Sequence, residues 1–197
     1  MKTDLEKYVQ IFEQFLRHAH NEGLSSVNHL KLMKLVWAAD RFHLRQFGRT
    51  VTGDSYVAMK NGPVASEGLD VIRESGTGYS LLSPDQRQFV EEFIDFTNHE
   101  VSLKSSCGDD LLSPSEKMMI QKSWETFKGF DPFYLANSIT HQYPEWSKFE
   151  GFFELQPKSR RKMSLEDFFL NPESDSFFAQ DEQTLEAAHD IFALDHS

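Results

Sequence analysis

The stretch TVTGDSYVAMKNGPV, residues 50–64, decides the reading of this chain. It holds a Gly53-Asp54 turn, a short aromatic and β-branched run, and a second turn at Lys60-Asn61-Gly62-Pro63. Gly53 and Gly62 tolerate positive φ, Asp54 can bond its own turn, and Pro63 fixes the exit toward another element. The pattern predicts two short strands, residues 51–52 and 55–60, folded around Gly53-Asp54 as a hairpin. It also gathers Asp54, Tyr56, Lys60 and Asn61 into one small feature, with more polar chemistry than a connector needs.

Helical patterns surround this segment. Leu5, Tyr8, Val9, Phe12, Phe15, Leu16 and Ala19 recur at 3–4 spacing and predict a helix over about 4–20. A second spans about 28–47, with Leu32, Leu35, Val36, Ala39, Phe42 and Phe47 inward, Lys31, Lys34, Arg41 and Arg45 largely outward, and Gly48 as its stop. After Pro63, a short helix closes at Gly76. Ser83-Pro84 opens another, with Phe89, Val90, Phe93, Ile94 and Thr97 along one face. Residues 100–105 alternate like a strand. Ser113-Pro114-Ser115-Glu116 is a strong helix start, and Asp131-Pro132 begins a further helix that ends near Pro144.

The last part changes character. Lys158, Arg160, Arg161 and Lys162 form a basic cluster, whereas residues 164–197 carry nine acids, five phenylalanines and no lysine or arginine. Short helices are expected over 164–170 and 181–194. The fold class is therefore mainly α with a small antiparallel β-hairpin element (α+β). It is a single compact helical domain over about 1–150, with an acidic, Phe-rich segment over 151–197 packed on it.

Thirty-one acids against twenty bases give a net charge of −11. Counterion release needs a Lys/Arg surface, so direct nucleic-acid binding is not expected, while a basic partner would be matched in charge. A chain of 197 residues buries roughly 70% of its unfolded surface and needs no disulfide or metal to fold. One cysteine, Cys107, excludes an intramolecular disulfide and points to a reducing compartment. The charged N-terminal stretch and the lack of any run near ~18 apolar residues imply a cytoplasmic protein with no membrane partner.

Candidate chemistry is sparse. His18 and His20 diverge on their helix, His43 stands three residues from Asp40 without an HExxH pattern, and Cys107 has no basic neighbour to activate it. No metal or cofactor is expected. Asp40 and Arg41 interrupt an apolar helix; the reading favoured is that Asp40 turns inward and anchors the hairpin through backbone N–H groups or Lys60. His141 reads either as a helix-terminal residue favoured by the dipole or as a polar member of a cleft beside the hairpin.

The segment KLMKLVWAADRFHLRQFGRTVTGDSYVAMKNGPVASEGLDVI (residues 31–72) resembles the signature of the SocA-like, or Panacea, antitoxin domain of bacteria and phages. Lys31, Leu32, Lys34, Leu35, Ala39 and Asp40 match its helical block. Gly53, Asp54, Tyr56, Ala58, Gly62, Pro63 and Val64 match its G-D-x-Y-x-A-x-x-x-G-P-V block. Leu112, Ser113, Glu116, Leu135, Thr140, His141, Pro144 and Trp146 match a later one. Trp37, Asn61 and Gln142 depart from the usual residues. The resemblance implies a non-enzymatic antitoxin that binds and neutralises a cognate protein toxin. The toxin surface would lie at the hairpin and the Asp40/His141 side, drawing on Lys34, Asp40, Arg41, Gly53, Asp54, Tyr56, Lys60, Asn61, Gly62, Pro63, His141 and Trp146. The acidic C-terminal segment would be a specificity element. Two other expectations stand beside it: a proteolytic adaptor delivering a toxin to a cytoplasmic protease, and a phage or mobile-element enzyme with a polar cleft around Asp40, Asp54, Lys60 and His141.

Overall fold

Helix α2 (His29–Phe47) is enclosed on all sides: every residue from Leu32 to Arg45 is buried, charged ones included. A helix with one wet face would alternate, so this pattern marks a central rod around which the chain is wrapped. The computed structural model describes residues 2–72 and 82–195. Asn28 caps α2 by accepting the Leu30 N–H, and Gly48 ends it in the left-handed conformation (φ 72°), its N–H bonded to the Leu44 carbonyl.

Helix α1 (Lys2–Asn21) runs slightly longer than the sequence pattern predicts. The hairpin strands β2 (Tyr56–Met59) and β3 (Gly62–Ala65) follow β1 (Val27–Asn28) in chain order, and α3 (Ser66–Ile72) comes next. The expected closure of α3 at Gly76 lies outside the described residues. Helices α4 (Pro84–Phe93) and α5 (Pro114–Phe127) both start with complete capping boxes, Ser83 with Gln86 and Ser113 with Glu116.

The predicted hairpin exists one turn later than the sequence suggests. Tyr56 pairs with Ala65 and Met59 with Gly62, so Lys60-Asn61 is the turn and Gly53-Asp54 lies before the first strand. Residues 51–52 form no strand, because their N–H groups are taken by the Asp40 carboxylate instead of a ladder partner.

Ile94 and Thr97 are not helical either. They begin and end β4 (Ile94–Thr97), which pairs with β5 (Glu100–Leu103) through Asn98 and His99 at φ 54° and 67°. Two successive positive φ values give the tight turn whose twist suits antiparallel strands. Because β5 also pairs with β1, the described residues form two three-stranded antiparallel sheets, β1-β5-β4 and β3-β2-β6. The sixth strand, β6 (Arg161–Lys162), arises from the basic cluster and pairs with Val57 and Ala58.

The expected helix after Asp131 breaks into three pieces: α6 (Pro132–Tyr134), a π-helical turn (Leu135–Ile139) and a 3-10 turn (Thr140–Gln142). Short helices α7 (Pro144–Ser147) and α8 (Glu150–Leu155), a 3-10 turn (Leu165–Phe169) and α9 (Glu182–Asp195) complete the described chain. The molecule is thus mainly helical with small antiparallel sheets. Among the described residues no helix is long and apolar enough to cross a membrane.

Helices α1, α3, α5 and α9 and strands β1 and β3 are among the elements that pack on the rod. The C-terminal segment belongs to the packed interior. Phe168, Phe178 and Phe192 are buried, and Phe178 packs against Trp37, Phe42 and Phe127. Helix α9 lies so close to α2 that a side chain at Gly48 would collide with Ala188 and Ile191.

Candidate functional site

Three of the four basic residues expected outside on α2 are inside. Lys34, Arg41 and Arg45 are buried, and even Lys31 is half-buried, donating to the Lys128 and Phe130 carbonyls at the end of α5. The helical pattern misplaces them because it assumes a wet face that α2 lacks. Buried charge is costly unless partnered, so each has a specific acceptor. Lys34 Nζ donates to the Pro63 carbonyl at 2.7 Å. Arg41 Nη1 meets Glu145 Oε2 at 2.7 Å with both side chains fully buried, and its Nη2 donates to the Leu170 carbonyl. Arg45 donates to the carbonyls of Phe168, Phe169 and Phe178 and to Asn171 Oδ1, fastening the C-terminal segment to the rod.

Asp40 turns inward, as the sequence reading favours. Its Oδ1 accepts the N–H groups of Val51 and Thr52 at 2.7 and 2.9 Å, and its Oδ2 accepts the hydroxyls of Thr52 and Tyr56 at 2.5 and 2.7 Å. Lys60 is not its partner; that side chain is exposed at the turn. These donors favour the ionised carboxylate, yet burial outweighs them and lifts its pKa to about 6. Asp54 plays a parallel part. It accepts the Tyr8 hydroxyl and the N–H groups of Ser55, Glu67 and Gly68, capping the start of α3, and burial again raises its pKa. Burial and the adjoining carboxylates push the phenols of Tyr8 and Tyr56 well above their ordinary value.

The hairpin turn is held from beneath by residues distant in sequence. Trp146 Nε1 donates to the Met59 carbonyl at 2.8 Å, and Lys34 takes the Pro63 carbonyl. His141 lies flat on Trp146, ring centroids 3.3 Å apart and planes 4° from parallel. Its Nε2 is buried without a hydrogen-bond partner. Burial, with the Lys34 charge nearby, lowers its pKa to about 4, so the ring is neutral at pH 7. Among the described residues Lys34 has no acidic partner, and burial alone brings its pKa down to about 7. Gly62 makes the closeness possible. It has φ 95°, and a side chain there would run into Thr140 Oγ1 and stand 3.1 Å from Lys34 Nζ. The π turn brings this part of the backbone up to the hairpin, with Thr140 Oγ1 donating back to the Ala136 carbonyl.

The structure thus brings the expected residues together but buries most of them. Lys34, Asp40, Arg41, Asp54, Tyr56, Gly62, Pro63 and Trp146 are buried; His141 is half-buried; Gly53, Lys60 and Asn61 are exposed. The exposed polar face expected around Asp54 and Tyr56 is instead an internal hydrogen-bond network, with only the turn tip outside. A cleft of 420 Å³ opens near the segment, but of the expected residues only Gly53 lines it, beside Lys7, Arg49, Thr50 and Glu116. Cys107 is half-buried and its thiol is pushed up to about 11, chiefly by burial. Among the described residues no three His, Cys, Asp or Glu side chains gather to hold a metal ion.

Sequence reasoning missed Glu145, Arg45 and Glu13. Glu145 also accepts the Trp37 indole N–H, and Glu13 is fully buried under Ser106 and the Cys107 N–H. One signal was present: a helix as apolar as α2 that still carries two arginines near Asp40 requires a buried acid elsewhere, and Glu145 stands between Pro144 and Trp146.

Neither the curated proteins nor the solved structures yield a match to this chain. The family description "Antitoxin SocA-like, Panacea domain" matches residues 32–147, which spans α2, the hairpin and the turns beneath it. By that match over more than half its length, the chain belongs to the SocA-like antitoxin, Panacea-domain family.

Proposed function

We propose that the chain is an antitoxin that binds a cognate protein toxin and neutralises it by contact, without chemical turnover. The observation that carries this reading is the engagement of the motif's polar groups. Asp40, Asp54, Tyr56, Lys34 and Trp146 are tied to main-chain atoms or to one another, and what they hold rigid is the Lys60-Asn61 turn at the surface. A pre-ordered turn binds without first losing conformational freedom, which favours recognition. An enzyme would need Asp40, Asp54, Lys60 and His141 to converge on one concave site. Asp40 and Asp54 are buried anchors, whereas Lys60 is exposed at the turn.

The test is growth rescue of cells expressing the toxin, with the chain carrying Lys60→Ala and Asn61→Ala. The substitutions lie at an exposed turn, so the expected result is loss of rescue with an unchanged thermal midpoint. Full rescue by this folded variant overturns the turn as the contact. Rescue that disappears only when host proteases are removed would favour delivery to a protease over direct blocking.

A further inference from the structure

The chain carries −11 overall, yet five cations cluster at one margin of the second sheet: Lys60, Lys158, Arg160, Arg161 and Lys162. All five are exposed, and among the described residues none is ion-paired. The register explains the cluster. Antiparallel pairing of Val57 with Lys162 and Ala58 with Arg161 carries Lys60 to the end of the sheet where residues 158–160 lie. Strand alternation then places Lys162 and Arg160 on the outer face with half-buried Val57 and Met59, while Ala58 points into the core. Arg161 is fixed in place, its guanidinium 3.7 Å from the centroid of the Phe152 ring. Because β6 is the outermost strand of the order β3-β2-β6, no described strand covers its far side.

We propose that this margin docks an extended segment of a protein partner in which acidic and apolar residues alternate. Such a segment adds to β6 by main-chain pairing, and the same alternation turns its carboxylates to the outer face beside Lys162 and Arg160 and its apolar side chains to the opposite face, the side of Arg161 and the Phe152 ring it covers. Lysines on an edge strand also discourage self-pairing of edges, but that purpose needs neither a stacked arginine nor cations outside the strand. A nucleic acid fits less well. Its phosphates run beyond a five-cation patch, and it has no peptide main chain to pair with the β6 edge. Four of the five cations lie beyond residues 32–147, so most of this surface is outside the part of the chain that the family description covers. The proposal rests on the antitoxin reading only for the partner's identity, the toxin; the surface is tested without it.

The experiment is fluorescence anisotropy of the full chain with three labelled probes: an alternating Val-Glu peptide, an alternating Val-Ser peptide, and a single-stranded oligonucleotide of equal charge. The Val-Glu peptide is expected to bind best, to weaken as salt rises, and to lose about tenfold or more in affinity with Arg160→Ser, Arg161→Ser and Lys162→Ser combined. A second variant, Lys60→Ser with Lys158→Ser, leaves the strand intact and is expected to weaken binding in the same direction. Equal affinity in both variants overturns the proposal. So does oligonucleotide binding as tight as the peptide's, or a dimer of the chain itself that the triple variant dissociates. A chain that binds the peptide but rescues no growth leaves the surface standing and removes the antitoxin reading alone.

Discussion

Arg41 and Glu145 form an ion pair at 2.7 Å, neither side chain is exposed to any extent, and 104 residues of chain separate them. The guanidinium also lies 4.4 Å from the centroid of the Tyr143 ring. This pair ties the central helix to the short helix that carries Trp146, and so to the hairpin above it. Removing one partner leaves a buried charge alone, so Glu145→Gln is expected to lower stability by about 3–5 kcal/mol in chemical denaturation. Replacing both with Met should recover much of that loss. A double variant no better than the single one would show that the pair matters through its shape and not its charge.

Gly62 meets two separate constraints, a φ of 95° and the lack of room beside Thr140. Gly62→Ala is expected to cost about 2–4 kcal/mol, from left-handed backbone strain and overpacking together. Adding Thr140→Ala should return the packing part and leave the backbone part. Full recovery in the double variant would mean that the backbone conformation contributes nothing.

Lys34 gives stability a pH dependence of known sign. Its folded-state pKa lies near 7, below the ordinary 10.5, because burial disfavours the charged form. Its contribution is therefore complete above 10.5 and lost as pH falls through 7. Unfolding free energy should rise between about pH 7 and 9 with a slope approaching about 1.4 kcal/mol per pH unit. Lys34→Met should flatten that rise. A wild-type curve already flat over this range would place a neutralising partner beside Lys34.

The C-terminal segment should behave as core. Arg45 donates to four of its carbonyls, and Phe168, Phe178 and Phe192 are buried, each worth about 1.5–3 kcal/mol of apolar transfer when fully enclosed. A chain ending before Ser164 is expected to lose its cooperative thermal transition. If it instead melts like the full chain and only its partner affinity falls, the segment is a recognition arm docked on an independent fold.

Local chemistry made part of this legible in advance. The Gly48 stop, the Ser113-Pro114-Ser115-Glu116 helix start and the Ser83-Pro84 start each depend on a few adjacent residues, and the structure has all three. Asp40's inward turn was also readable, since a carboxylate in so apolar a helix needs donors. What was hidden depends on distant partners. Ile94 to Thr97 leaves the helical state because β5 pairs with it and β1 completes the sheet, and neither can be inferred from its own sequence. Lys34, Arg41 and Arg45 face inward because the C-terminal segment closes over a helix that alone would have a wet side. For the same reason Tyr56 and Asp54, which read as surface chemistry in a turn-rich stretch, became the interior supports of the turn.

The most direct measurement is calorimetric titration of the purified chain with the toxin whose growth arrest it relieves. A stoichiometric complex is expected that forms with no small-molecule cofactor, and whose affinity falls when Lys60 and Asn61 are changed while the thermal midpoint does not. No heat of binding from a folded chain that still relieves the arrest, or turnover of a small compound abolished by changing Asp54 or His141, would contradict it.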